Sequence, residues 1–292
     1  METRPDGSTK TAAHFPRSGF LADHAEYMPA THEPLHRVVH RMAHMHFLGP
    51  LPPEQLAPDS YIKLSFIMEG VPRYFDGDGA AMDWHDGVSG HVPPRKGIVA
   101  TSDGPVRCLM VNFYPSAFHR LFGGSVGRFN GLMVPPEQVL GTDAAMLYSR
   151  LRATREPLVA LDAVKDHLVR LVAEKASEPP SVIAQLERYI RDRQGMVMVH
   201  KLALLAGLSE RQLQRRFREE IGLSPKAFCS VVRFNQVYSE MKRRNKLDLD
   251  VAIAYGYFDE SHMLKDLSHF LGRSPKRFAS LVRPMVDLNL GH

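Results

Sequence analysis

Hydrophobic positions change their period along this chain of 292 residues. Between residues 59 and 114 they alternate. Ile62, Leu64, Phe66 and Met68 share one side with Lys63 and Ser65 opposite, and Leu109, Val111 and Phe113 alternate with Met110 and Asn112. Turn formers punctuate these runs at Glu69-Gly70, Asp76-Gly77-Asp78-Gly79 and Pro93-Pro94. Period two between turn signals predicts a small antiparallel β domain. From Pro115 the texture becomes helical. Thr142 or Asp143 caps one helix running to about Ala153, and Leu158, Leu161, Val164, Leu168, Leu171 and Val172 mark a second, to about Ala176. The charged far face of that second helix leaves two readings, packing on the β domain or pairing with the same helix of another subunit. The first thirty residues are polar, interrupted by Pro5, Pro16 and Pro29, and are expected to form a flexible arm.

After the linker at 177–181, which contains Pro179-Pro180, the sequence repeats itself. Residues 221–233 (IGLSPKAFCSVVR) and 271–283 (LGRSPKRFASLVR) match at eight of thirteen positions, at an offset of 50. The same offset puts Ser209 on Asp259 and Leu213 on Met263. Two copies are too few for a solenoid and predict paired helical modules joined by one long helix, about Pro225 to Arg243.

In the first copy a short apolar helix stops at Gly207, a residue suited to a left-handed turn. Ser209 then serves as N-cap, with Gln212 three positions on as in a capping box. Burying Leu213 and Phe217 leaves Arg211, Gln214, Arg215 and Arg218 on the opposite face. That is the layout of a helix-turn-helix, with Arg able to read guanine and Gln adenine in the major groove. The second copy has Asp259 as N-cap and an outward stripe of Ser261, Leu264, Lys265 and Ser268, with Asp266 adding a repulsive charge. Base contacts are therefore assigned to Arg211, Gln214, Arg215, Ser261 and Lys265. Phosphate contacts are assigned to Ser209, Arg218, Ser224, Lys226, Ser274, Lys276 and Arg277, since Ser224-Pro225 and Ser274-Pro275 each begin a helix beside cations.

The whole array, LALLAGLSERQLQRRFREEIGLSPKAF at 202–228 and AIAYGYFDESHMLKDLSHFLGRSPKRF at 252–278, resembles the DNA-binding domain of the AraC/XylS family of transcription regulators. The resemblance covers about the last 110 residues, and Leu267 stands where that family usually has Phe. It implies an α+β chain: a cupin-like sensing and dimerising domain at 31–176, then an all-α double helix-turn-helix domain at 182–292. It also implies double-stranded DNA and RNA polymerase as partners and a homodimer.

Charge sharpens this division. The net +5 is uneven: residues 181–292 hold 19 Lys+Arg against 12 Asp+Glu, a net +7, and residues 1–180 are net −2. The excess sits with the proposed DNA-binding end. Two cysteines, Cys108 and Cys229, exclude a disulfide framework or a Cys-rich zinc site. The polar start lacks the apolar core of a signal peptide, and no run is long enough for a membrane helix, so a cytoplasmic protein is expected. No phosphate-binding glycine loop or dinucleotide fingerprint occurs, which argues against an enzyme.

Two features of the first half bear on an effector. His44-Met45-His46 has the spacing of metal cupins, with Glu54, His85 or His91 as third ligands. It lies before the clearest strand, however, and solvated or hydrogen-bonded histidines with no metal are the preferred reading. Arg37 and Arg41 form an Arg-x-x-x-Arg pair that resembles the start of the PilZ-type cyclic di-GMP motif. Asp86 and Ser89 stand nearest its second half, although the serine is one place late. That resemblance implies a CuxR-like, cyclic di-GMP-responsive activator of exopolysaccharide genes, with two guanidiniums gripping guanine and phosphate. The competing classes are an effector-free regulator, one that senses another small molecule, and a metal-dependent cupin enzyme with a DNA-binding appendage.

Overall fold

Two antiparallel sheets form the first half of the computed structural model, which describes residues 2–3, 9–13, 21–56, 58–91, 97–175, 179–244, 249–257 and 259–271. Their strands are β1 (Glu2–Thr3), β2 (Thr9–Ala13), β3 (Leu21–Met28), β4 (Val39–Phe47), β5 (Glu54–Leu56) and β6 (Ile62–Glu69), followed by β7 (Arg73–Asp76), β8 (Ala81–Met82), β9 (Gly87–Ser89), β10 (Ile98–Thr101), β11 (Val106–Phe113) and β12 (Met133–Val134). The large sheet is ordered β1-β2-β3-β4-β11-β6-β9-β12, and the small one β5-β10-β7-β8.

The alternation places each side chain. Leu64 lies opposite Val111 and Phe66 opposite Leu109, with Met42 on the other side of Val111. This face carries the main core and is covered by helices α1 (Pro115–Phe122), α2 (Glu137–Leu140), α3 (Asp143–Ala153) and α4 (Pro157–Glu174). The other face, with Met45, Phe47, Val106 and Cys108, looks across a cavity of about 90 Å³ to Tyr74 and Ala100 of the small sheet.

Helix α4 buries Ala160, Leu161, Val164 and Leu168 against the sheet. Its apolar stripe is thus used within the chain, the first of the two readings. The expected arm at 1–30 needs correction: 2–3, 9–13 and 21–28 are strands, and Ala25 and Tyr27 are fully buried. Ala25 and Tyr27 alternate on one face, a short pattern that the flanking prolines obscured.

The second half is helical: α5 (Val182–Asp192), α6 (Val199–Ala206), α7 (Glu210–Glu220), α8 (Pro225–Arg244), α9 (Leu249–Ala254) and α10 (Glu260–Leu271). Leu186, Leu202, Leu213, Phe217 and Phe228 form one core, and Phe234, Tyr257, Met263, Leu267 and Phe270 a second. Helix α8 supplies both. Among the described residues no helix is long and apolar enough to cross a membrane.

The halves meet across a polar seam. Glu187 is buried and accepts from the Ser116 backbone N–H at 3.1 Å and from the Ser116 hydroxyl. It also pairs with Arg191 at 2.9 Å, which donates to the Ser60 hydroxyl and carbonyl at 2.8 and 2.7 Å. The Arg191 guanidinium lies 4.4 Å from the Tyr61 ring centre, 5.1 Å from Tyr114 and 5.2 Å from Phe228. Glu187→Ala leaves that cation unpaired and should lower stability by about 3–5 kcal/mol. The shift in urea midpoint, followed by helical circular dichroism and by Trp84, the only tryptophan, checks this.

Candidate nucleic-acid interface

Helix α7 is built as its sequence requires. Gly207 takes φ +62° and ends α6 in the left-handed conformation. The Ser209 hydroxyl accepts from the Gln212 backbone N–H at 3.3 Å, and the Gln212 side-chain oxygen accepts from the Ser209 N–H at 2.9 Å, which completes the capping box. Leu213 and Phe217 are fully buried. Arg211, Arg215 and Arg218 are exposed and Gln214 half-exposed, and with Ser209 they line one open groove. Among the described residues these three arginines carry no ion pair, whereas Arg216, on the inner side of the same helix, is tied to Glu220 at 2.9 Å. The free set is the stripe that periodicity assigned to DNA.

On α10 the Asp259 carboxylate accepts from the His262 N–H at 2.7 Å. Ser261 and Lys265 are exposed, and Leu264 and Asp266 are half-exposed on the same helix. This surface offers one cation where α7 offers three. Ser224 accepts from the Ala227 N–H at 3.3 Å and so caps α8, with Lys226 exposed beside it. Ser274, Lys276 and Arg277 lie outside the described residues.

The C-terminal end of α7 is capped by the β domain. The Asn130 side-chain amide donates to Gly222 O at 2.8 Å, and His91 Nε2 lies 2.8 Å from Ile221 O. His91 Nδ1 is 3.2 Å from Asp59 O. Both neighbours are acceptors, so a neutral ring can donate to only one, and the shorter distance places the proton on Nε2. Burial holds the His91 pKa below its ordinary value, against the raising effect of the two carbonyls. His91 thus ties the end of helix α7 to the β domain. No group of three His, Cys, Asp or Glu able to hold a metal occurs among the described residues.

The four residues assigned to an effector do not form one surface. Arg37 is exposed at the end of the turn Pro34–Arg37, whereas Arg41 is 5% exposed in β4 and paired with Glu26 at 2.9 Å. Asp86 accepts from the Ile67 backbone N–H, and Ser89 is buried at the edge of the inner cavity. The step from a 3-10 turn to a strand between Arg37 and Arg41 leaves one exposed and the other buried. Sequence reasoning missed Glu187, Arg191 and Asn130. The first two read as an ordinary surface pair at i, i+4, and nothing local marks the third.

These features define a DNA-binding domain with two helix-turn-helix units on one long helix. Residues 202–280 match the family model described as a helix-turn-helix domain. The chain is 31% identical over 80 residues, 27% of either chain, to the HTH-type transcriptional regulator MtrA of Neisseria gonorrhoeae. It is 30% identical over 84 residues, 29% of this chain and 28% of the other, to an uncharacterized HTH-type transcriptional regulator of Haemophilus influenzae. The match thus spans about a quarter of these curated relatives. Among solved structures, ToxT from Vibrio cholerae O395 is similar over 83% of this chain and 99% of its own, at TM-score 0.43 and 11% identity. A cupin 2 conserved barrel domain protein from Rhodopseudomonas palustris covers 38% of this chain, and 78% of its own length is matched, at TM-score 0.23 and 13% identity. The sequence matches support the AraC/XylS resemblance of the C-terminal domain.

Arg211→Ala or Arg215→Ala should cost about 1–3 kcal/mol on preferred DNA and relax discrimination at one base position. Lys265→Ala should weaken all sequences alike, and binding to a randomised duplex pool separates the two outcomes. The released His91 ring titrates near 6.5 and the docked ring lower. Its contribution is therefore present above pH 6.5 and is lost as pH falls below it. The stability difference between wild type and His91→Gln should narrow from pH 7.5 to 5.5 in parallel urea titrations.

Proposed function

We propose that this chain is a transcription regulator, an activator rather than an enzyme. It binds double-stranded DNA in the cytoplasm and is controlled by a small effector held by its N-terminal domain. The observation that carries this reading is the placement of α7. Its outer stripe of three unpaired arginines is free, while its inner end is held by His91 and Asn130 of the β domain. An effector that favours one arrangement of that contact shifts the population able to engage DNA. A homodimer would present two such domains to paired sites and contact RNA polymerase from there.

The specific effector named by the Arg-x-x-x-Arg pattern is cyclic di-GMP, with exopolysaccharide genes as targets. Arg37 is the member of that pair left exposed, so calorimetry compares wild type with Arg37→Ala. Heat that disappears in the variant supports cyclic di-GMP, and no heat with wild type removes it while leaving the DNA reading intact. The DNA reading itself predicts log affinity falling linearly with log salt, with Lys226→Ala reducing the slope by about 1. An affinity that ignores both salt and sequence, measured by anisotropy on the full chain, would overturn it.

A further inference from the structure

A cleft of about 640 Å³ opens between the two domains, with the turn ending at Arg37 and helix α1 on one wall and helices α5 and α7 on the other. This volume lies in the range of small-molecule sites, which is roughly 300–1,000 Å³. Five arginines and three carboxylates line it, leaving a net +2 with its histidines neutral. Arg191 and Arg216 are already neutralised by Glu187 and Glu220. Arg37, Arg120 and Arg188 have no ion pair or hydrogen bond among the described residues, and Asp192 is the one lining carboxylate left to offset them. The Arg120 Nε–H is buried with no acceptor. A buried donor without a partner is rare in folded proteins and marks a place where an acceptor belongs. His36, on the same wall, is held below its ordinary pKa by burial and then by the Arg37 and Arg188 charges, a sign of uncompensated positive potential.

We propose that this cleft binds a small ligand carrying a multiply charged oxyanion, a phosphate chain or a polycarboxylate, held by Arg37 and Arg120 from one domain and Arg188 from the other. Planar guanidiniums match such oxyanions by paired N–H donors, and their convergence from two domains favours a ligand with more than one charge. A ligand spanning that seam clamps α5 and the recognition helix to the β domain. This deepens the effector reading above by giving the effector a site and a charge, and it rests on that reading for its regulatory meaning.

Pyrophosphate and citrate are the probes, titrated by calorimetry into the full chain at constant ionic strength. Binding by either supports the site, and the tighter of the two identifies the chemistry. Arg37→Ala and Arg188→Ala, both exposed and without bonds to lose, should each weaken binding about tenfold. The His36 proton signals should titrate at higher pH when the probe is bound, because an anion offsets the neighbouring guanidiniums. No heat with either probe at millimolar concentration, or heat unchanged in both variants, overturns the proposal. DNA affinity is measured with and without the bound probe. If it stays constant while the probe binds, effector control through this cleft falls and the anion site stands.

Discussion

Arg191 is a charge held between two domains, and the seating of α5 against the β domain depends on how that charge is compensated. Burial alone would make such a cation costly. Glu187, one turn earlier on the same helix, supplies the counter-charge, Ser60 accepts two hydrogen bonds, and three aromatic rings stand around the guanidinium. Burial pushes the Tyr61 hydroxyl up to about 12, against the lowering effect of the Arg191 charge. A lysine could not stack its head group on the rings while donating to both Ser60 and Glu187. The orientation of α5, and with it the first helix-turn-helix, is fixed by planar geometry as much as by charge.

The same logic extends outward along α8. Phe228 belongs to the first helical core and Phe234 to the second, so one helix carries both modules. The Asn235 amide donates to Pro58 O at 2.7 Å and ties this helix to the β domain as well. Both reading surfaces are thus referenced to the sandwich, the first through the end of α7 and the second through α8. The first surface is also the more cationic, so the module held closest to the β domain presents the larger set of exposed arginines.

The period of the apolar residues made much of this legible. Alternation gave the paired strands around Phe66 and Leu109, and the 50-residue repeat gave α7, α8 and α10 with their caps. These features are local, set by neighbours within a turn or a strand. The strand at Leu21–Met28 was hidden because three prolines outweighed a short alternating run. The seam was not legible, since Glu187 and Arg191 look like a solvated pair until Ser60, Ser116 and Phe228 are brought to them by the fold. The unlike surroundings of Arg37 and Arg41 were equally hidden, since the change from a 3-10 turn to a strand leaves the first exposed and buries the second beside Glu26.

Synthesis order gives the aromatic surround of Arg191 a further meaning. Tyr61 and Tyr114 belong to the half of the chain that leaves the ribosome first, whereas Arg191 and Phe228 follow later. At the usual elongation rate of about 5–20 residues per second, roughly 6 to 23 s separate Tyr114 from Phe228. During that interval the two tyrosines and the stacked ring of His40 lack the complete set of Arg191 and Phe228 contacts that the finished fold brings. The surface that later joins the two domains is therefore completed in two stages, by Arg191 of α5 and then by Phe228 of α8.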